Sequence, residues 1–114
     1  MDIIAELTSI VGAEAVLNAA DEMNPFLSDW HGRFAGQAHA VVLPQTTAQV
    51  VKIMEFASQQ SIVVVPQGGN TGFMGGATPD SQGNSILLSL RRMNRIREID
   101  PTNMSMTVEA GCIL

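Results

Sequence analysis

The stretch Pro66-Gln67-Gly68-Gly69-Asn70-Thr71-Gly72-Phe73-Met74-Gly75-Gly76 decides how this chain is read. Five glycines fall within these eleven residues. Directly before them lies Ile62-Val63-Val64-Val65, a continuous β-branched run that reads as a strand buried on both faces. Glycine permits positive φ and lets a backbone approach a ligand closely. Successive N–H groups in such a loop can converge on one concavity and hold an anion. Asn70 and Thr71 can add side-chain hydrogen bonds. A long, glycine-dense turn that binds nothing is costly in backbone entropy. Its place after a strand of an α/β unit is where such folds bind ligands. The loop therefore reads as a phosphate cradle, against the alternative of a plain surface turn.

Two familiar phosphate loops do not fit. The glycine spacing is not G-x-G-x-x-G, and the only lysine, Lys52, is preceded by Val51 rather than glycine. No Lys or Arg lies inside the loop, so main-chain N–H groups would hold the anion, with Arg91 or Arg92 as outside helpers.

Upstream, Ala40-Val41-Val42-Leu43 reads as a short buried strand stopped by Pro44. Thr46 with Gln49 three residues on resembles a capping box and opens a helix to about Gln60. Its apolar stripe is Val50, Ile53, Met54 and Ala57. Strand, helix, strand with short connections is a βαβ unit, which predicts that 40–43 and 62–65 form a parallel pair. Before it, residues 2 to about 20 read as helical, with Ile3, Leu7, Ile10 and Val11 on one face and an interruption at Gly12. A second short helix carries Val16, Leu17 and Ala20. Residues 24–38 form a loop of unusual length, and such loops often carry function or wrap another surface.

Downstream, Ser85 to Leu90 is an apolar strand. Arg95–Asp100, the turn Asp100-Pro101-Thr102-Asn103, and Ser105–Ala110 suggest an antiparallel hairpin. The segment Gly111-Cys112-Ile113-Leu114 stays apolar directly after a strand, which reads as a cut inside a larger fold. An unpaired edge near 105–114 would seek partners, so self-association of the isolated chain is expected.

Bulk properties narrow the function. At 46% hydrophobic residues the chain can pack a core, and at 4% aromatic that core is mostly aliphatic. The net charge is -5, and four of the six Lys and Arg residues are Arg91, Arg92, Arg95 and Arg97. That argues against a nucleic-acid or anionic-membrane surface. One cysteine, Cys112, excludes an internal disulfide, and His31 and His39 alone make no zinc site. No apolar run approaches the roughly 20 residues that span a bilayer. A reducing cytoplasm is the expected compartment. His31 reads as a polar-loop residue and His39 as a strand start, neither as a catalytic shuttle. Cys112 reads as buried structure rather than a nucleophile. Trp30 is open between stacking on a ligand and packing under the long loop.

The ordered blocks around the loop resemble flavoproteins of the vanillyl-alcohol oxidase and p-cresol methylhydroxylase family. Within it they look closest to D-2-hydroxyglutarate and D-lactate dehydrogenases. The markers are Asp29-Trp30 with Gly36, then Val42-Leu43-Pro44-Gln45-Thr46-Thr47 with Val50. They continue with Pro66-Gln67-Gly68-Gly69-Asn70-Thr71-Gly72, Gly75-Gly76, the run 89–94, and Val108-Glu109-Ala110-Gly111. The resemblance implies an α+β, PCMH-type FAD-binding domain: residues 1–37 as N-terminal helices and loop, and 38–114 as an incomplete FAD-binding part. The latter would comprise a first α/β lobe and the opening strands of a second. It implies that Gly68, Gly69, Asn70, Thr71 and Gly72 surround the FAD pyrophosphate, that Gly75 and Gly76 continue the contact, and that Pro66 and Gln67 belong to the same cofactor-binding stretch. Ser89, Met93 and Asn94 would form a second cofactor segment, and Ala110 and Gly111 would run toward the flavin ring. Some relatives attach FAD through a histidine where this chain has Asn70, so the resemblance implies non-covalent FAD here. The parent enzyme would oxidise a D-2-hydroxy acid to a 2-oxo acid, with its base and any metal ligands outside this chain. The isolated chain would be inactive. Two other readings stay open: a non-catalytic α/β interaction module, and a stand-alone phosphate-ligand module.

Overall fold

The computed structural model describes residues 2–113. Helix α1 spans Ile3–Val11. The Asp2 carboxylate caps it by accepting from the Ala5 amide at 3.2 Å, and Gly12 ends it at φ 93°. Leu7 and Val11 are its buried residues. The second N-terminal helix expected over 16–20 is not present as such. A 3-10 turn at Ala13–Ala15 leads into a short strand, β1 (Val16–Leu17), and only then comes α2 (Ala20–Met23). The physical reason is pairing: β1 lies antiparallel to β2 (Ala40–Val42), with Val16 opposite Val42 and Leu17 opposite Val41. A sheet edge outweighs a weak local helix preference.

Helix α3 spans Thr47–Gln59, and Thr46 Oγ1 accepts from the Gln49 amide as the capping box requires. The reciprocal bond is displaced by one residue: Gln49 Oε1 accepts from the Gln45 amide at 2.7 Å. The buried face of α3 is Ile53, Phe56 and Ala57, while Met54, expected in the stripe, is exposed.

The sheet order corrects the βαβ expectation. Strands β3 (Val63–Gln67) and β4 (Ser85–Ser89) complete a four-stranded sheet in the order β1-β2-β4-β3. Strands β2 and β3 are both parallel to β4, which lies between them, and are not paired with each other. All five residues of β4 are buried. Strand β3, expected to be buried on both faces, is an edge, with Val63 57% exposed. Pro66 continues β3 rather than ending it, and an edge is where a sheet tolerates proline.

The two faces of the sheet are filled separately. Ala40, Val42, Ile86 and Leu88 pack with Leu7, Val11, Ile53 and Phe56 under α1 and α3. Val41, Leu43 and Leu87 pack with Phe26 from the turn at Asn24–Phe26. The long loop that follows this turn is fastened down. The Gly36 amide donates to Leu27 O at 2.8 Å and the Gln37 amide to Asp80 O at 2.8 Å. At Gly36 a Cβ would collide with the Pro79 carbonyl, so only glycine allows that approach.

The hairpin is present as β5 (Ile96–Asp100) and β6 (Ser105–Val108), antiparallel, with a register irregularity between Ile96 and Glu98. Among the described residues it pairs with no other strand. The part of the expected 105–114 edge that involves Leu114 lies outside the described residues.

Candidate functional site

The carboxyl ends of the parallel strands bring three of the anticipated segments together. Strand β3 delivers the glycine loop after Gln67. Strand β4 delivers the turn 90–94, and the chain returns from β6 through Ala110 and Gly111. The Leu90 amide donates to Gln67 O at 2.9 Å, extending the β3–β4 pairing past the sheet. The Met93 amide donates to Leu90 O at 2.9 Å and the Gly111 amide to Met93 O at 2.8 Å. A Cβ on Gly111 would collide with the Leu90 carbonyl, so this junction depends on glycine. The Ala110 carbonyl lies at 4.0 Å from where a Gly68 Cβ would be.

The glycines of the loop divide into two kinds. Gly75 has φ 77°, and a Cβ there would press on the Phe34 ring at 3.0 Å. It is explained by its own backbone and packing. Gly69, Gly72 and Gly76 have no positive φ, and a Cβ on any of them would meet nothing within 4 Å. Gly68 is nearly as open. The fold itself does not require glycine at these four positions. A bare backbone facing open space does suit close approach by an anion held on main-chain N–H groups. The loop thus fits the phosphate portion of a cofactor such as FAD.

The side chains of Gln67 and Asn70 are engaged within the protein. Gln67 is buried, and its Nε2 donates to Phe26 O at 2.9 Å and to Ala77 O at 3.0 Å. Asn70 adopts φ 59°, and its Nδ2 donates to Ser28 O at 2.8 Å. Both tie the long loop to the glycine loop. Ser89 is fully buried, with its Oγ accepting from the Arg91 amide at 3.4 Å. Met93 is buried as well, while Thr71 and Ala110 are exposed.

Asn94 and Gly111 line an open cleft of about 610 Å3 together with Arg91, Ile96, Met106 and Val108. The Arg91 guanidinium also sits over the Phe26 ring at 4.8 Å. Arg95 and Arg97 face Glu109 at 3.8 and 3.3 Å. The Arg95 backbone amide, then burial acting in the opposite sense, then the Arg97 side chain set the Glu109 carboxyl, which lies below its ordinary range. Cys112, expected to be buried, is half-buried, its Sγ at 3.7 Å from Arg95 O. Trp30 does not pack under the long loop; it is 71% exposed. His31 stacks on Phe73 with ring centroids 4.3 Å apart.

One residue of the site was read only as a marker of resemblance. Asp29 is buried in the long loop and holds it in shape: its Oδ1 accepts from the Phe34 amide at 3.0 Å, and its own amide donates to Phe34 O at 3.0 Å. The Phe34 N–H outweighs burial and keeps the Asp29 carboxyl below its ordinary range. In the sequence Ser28-Asp29 is a turn-forming pair, and that is the available hint of this role. Among the described residues no group of three or more His, Cys, Asp or Glu side chains could hold a metal, and no helix is long and apolar enough to cross a membrane.

The comparisons follow this geometry. Residues 38–114 match the model of the FAD binding domain family. The chain is 36% identical over 113 residues to a probable mitochondrial D-2-hydroxyglutarate dehydrogenase of Oryza sativa subsp. indica, covering 99% of this chain and 20% of that protein. It is also 36% identical over 113 residues to a D-2-hydroxyglutarate–pyruvate transhydrogenase of Saccharomyces cerevisiae, covering 97% of this chain and 22% of that protein. The chain therefore spans about a fifth of the length of these relatives. Among solved structures, substrate-bound p-cresol methylhydroxylase superposes with a TM-score of 0.80 at 26% identity, over 96% of this chain and 22% of that one. The mixed sheet, the glycine loop at its carboxyl edge and the match over 38–114 agree, and the chain belongs to the FAD binding domain family.

Proposed function

We propose that this chain is the first, pyrophosphate-holding part of a flavin-dependent oxidoreductase that converts a D-2-hydroxy acid to a 2-oxo acid. The observation that carries the reading is the set Gly68, Gly69, Gly72 and Gly76, whose glycine identity neither backbone conformation nor internal packing explains. The activities of these relatives supply the substrate class. In this reading the main chain of 68–72 and 75–76 holds the pyrophosphate, with Thr71 free to add a hydroxyl. Pro66 and Gln67 act from below as scaffold. Ser89 and Met93 shape the adjoining turn, and Asn94, Ala110 and Gly111 lead away from it along the cleft. Bound FAD would accept the hydride from the substrate carbon. No catalytic group is assigned within this chain, and alone it is inactive.

Attachment of FAD at this loop is non-covalent. The Asn70 amide nitrogen is not a nucleophile, and it is already engaged with Ser28 O. Residues 1–37 serve as the helical and loop support, and 38–114 as the cofactor part. The lone thiol Cys112 suits a reducing compartment, and we assign the cytoplasm; cell fractionation that places the protein in mitochondria overturns that assignment.

The test is titration with FAD, with ADP as comparison. A Cβ at position 69 meets nothing within 4 Å. Gly69→Val should leave the thermal midpoint nearly unchanged while weakening FAD binding at least about tenfold, or ~1.4 kcal/mol. Equal affinity for FAD and ADP would favour a general phosphate-ligand module instead. Unchanged FAD affinity in the variant would remove the loop from the site.

A further inference from the structure

Two polar atoms buried behind the glycine loop have no hydrogen-bond partner among the described residues: Asp29 Oδ2 and Thr78 Oγ1. Both residues line one small, partly open cavity of about 20 Å3, together with Asn70, Gly72, Gly75 and Gly76. Asp29 is only 7% exposed. Its other oxygen is occupied by the Phe34 amide. An ionised carboxylate only accepts, so Oδ2 needs a donor. Leaving such an atom unpaired away from water is strongly unfavourable.

The cavity sets the size of the missing donor. One water needs on the order of 10–15 Å3 and two to four polar partners. A volume of about 20 Å3 suits a single water rather than a phosphate or a hydrated cation. A bare cation would need roughly six or more oxygen ligands, whereas one carboxylate and one hydroxyl are the orphaned groups here. We propose that a single ordered water occupies this cavity, donating to Asp29 Oδ2 and bonded to Thr78 Oγ1, and so straps the long loop to the far end of the glycine loop. Asn70 and Gln67 make the direct ties at the near end. The water makes the third, against the same stretch of loop assigned above to the pyrophosphate, and only this last consequence rests on that assignment.

The test is a high-resolution crystal structure of the full-length protein without FAD, together with Thr78→Val and Thr78→Ser. The expected result is a density peak within about 3.2 Å of both Asp29 Oδ2 and Thr78 Oγ1. It should be lost in Thr78→Val and kept in Thr78→Ser. Amide exchange at Gly75 and Gly76 should accelerate at least about tenfold in the Val variant and return toward the parent in the Ser variant. No peak, a direct Thr78–Asp29 bond, or a peak ringed by five or more oxygens at cation distances of about 2.4 Å overturns the proposal. Exchange rates equal in the Val variant and the parent overturn its strapping role. Because these readouts use FAD-free protein, failure of the cofactor reading would leave them intact and would show separately in the titration.

Discussion

Gln67 shows how much of the site's order depends on one buried amide. Its two Nε2 hydrogens reach two loops separated by about fifty residues, at Phe26 O and Ala77 O. Gln67→Leu keeps the bulk but leaves both carbonyls without that donor. A destabilisation of about 1–3 kcal/mol is expected, measured by urea unfolding. Gly111 is a steric case. An added methyl would meet the Leu90 carbonyl, which is itself fixed in the turn that carries Met93. Gly111→Ala should cost about 1–3 kcal/mol by the same measurement. The contrast with Gly69, where an added side chain meets open space, separates glycines kept by the fold from those free to serve a ligand. That distinction was not legible in the sequence, where all five loop glycines look alike. Asn70, expected to bond a ligand, has its Nδ2 tied to Ser28 O, while the loop's location was legible. The role of Gln67 was not, since a strand-end glutamine gives no sign of where its amide points.

At the scale of elements, Glu109 closes the hairpin's open end. It accepts from the Arg95 amide at 3.2 Å and faces Arg97, and its folded carboxyl lies below the ordinary value near 4.5. A depressed folded value means the contribution is complete above the ordinary value and is lost as pH falls through the folded one. The Arg95 amide resonance should therefore be constant at neutral pH and move only in acid below that ordinary value. Movement near neutrality would refute the pairing. The hairpin was legible from its turn, but its weak alternation was misleading for a physical reason. The irregularity between Ile96 and Glu98 places an extra residue in β5. Ile96 and Ile99, three apart, then share a face with Val108 and Met106, their partners across the pair. The same kind of limit applied to β3. A β-branched run signals a strand, yet only Pro66 hinted at an edge.

At the scale of the molecule, that shared face has no cover among the described residues. Ile99 is 61% exposed and Met106 56%. The isolated chain should self-associate with increasing concentration in sedimentation experiments, and replacing Ile99 and Met106 by Lys should restore a monomer. A clean monomer of the unaltered chain would contradict this. The fold class was legible because the α/β unit, the loop and the hairpin each leave a local pattern. The pairing of β2 and β3 with β4 was not, because neighbours in a sheet need not be neighbours in the chain.

The central position of β4 also governs the order in which the chain can fold. Strands β1, β2 and β3 and the helices α1 and α3 are all synthesised before residue 85, yet β2 and β3 do not touch until β4 enters between them. A nascent chain emerging from the ribosome therefore holds a sheet with its middle strand absent. It cannot close a core step by step from its N-terminus. Closure waits for Ser85–Ser89, which is the ladder partner of β3 and joins it to β2, with the glycine loop and its sequel as the tether. The same connection that presents bare backbone to a ligand in the finished protein is also the span of chain that lets the last strand of the sheet reach its place.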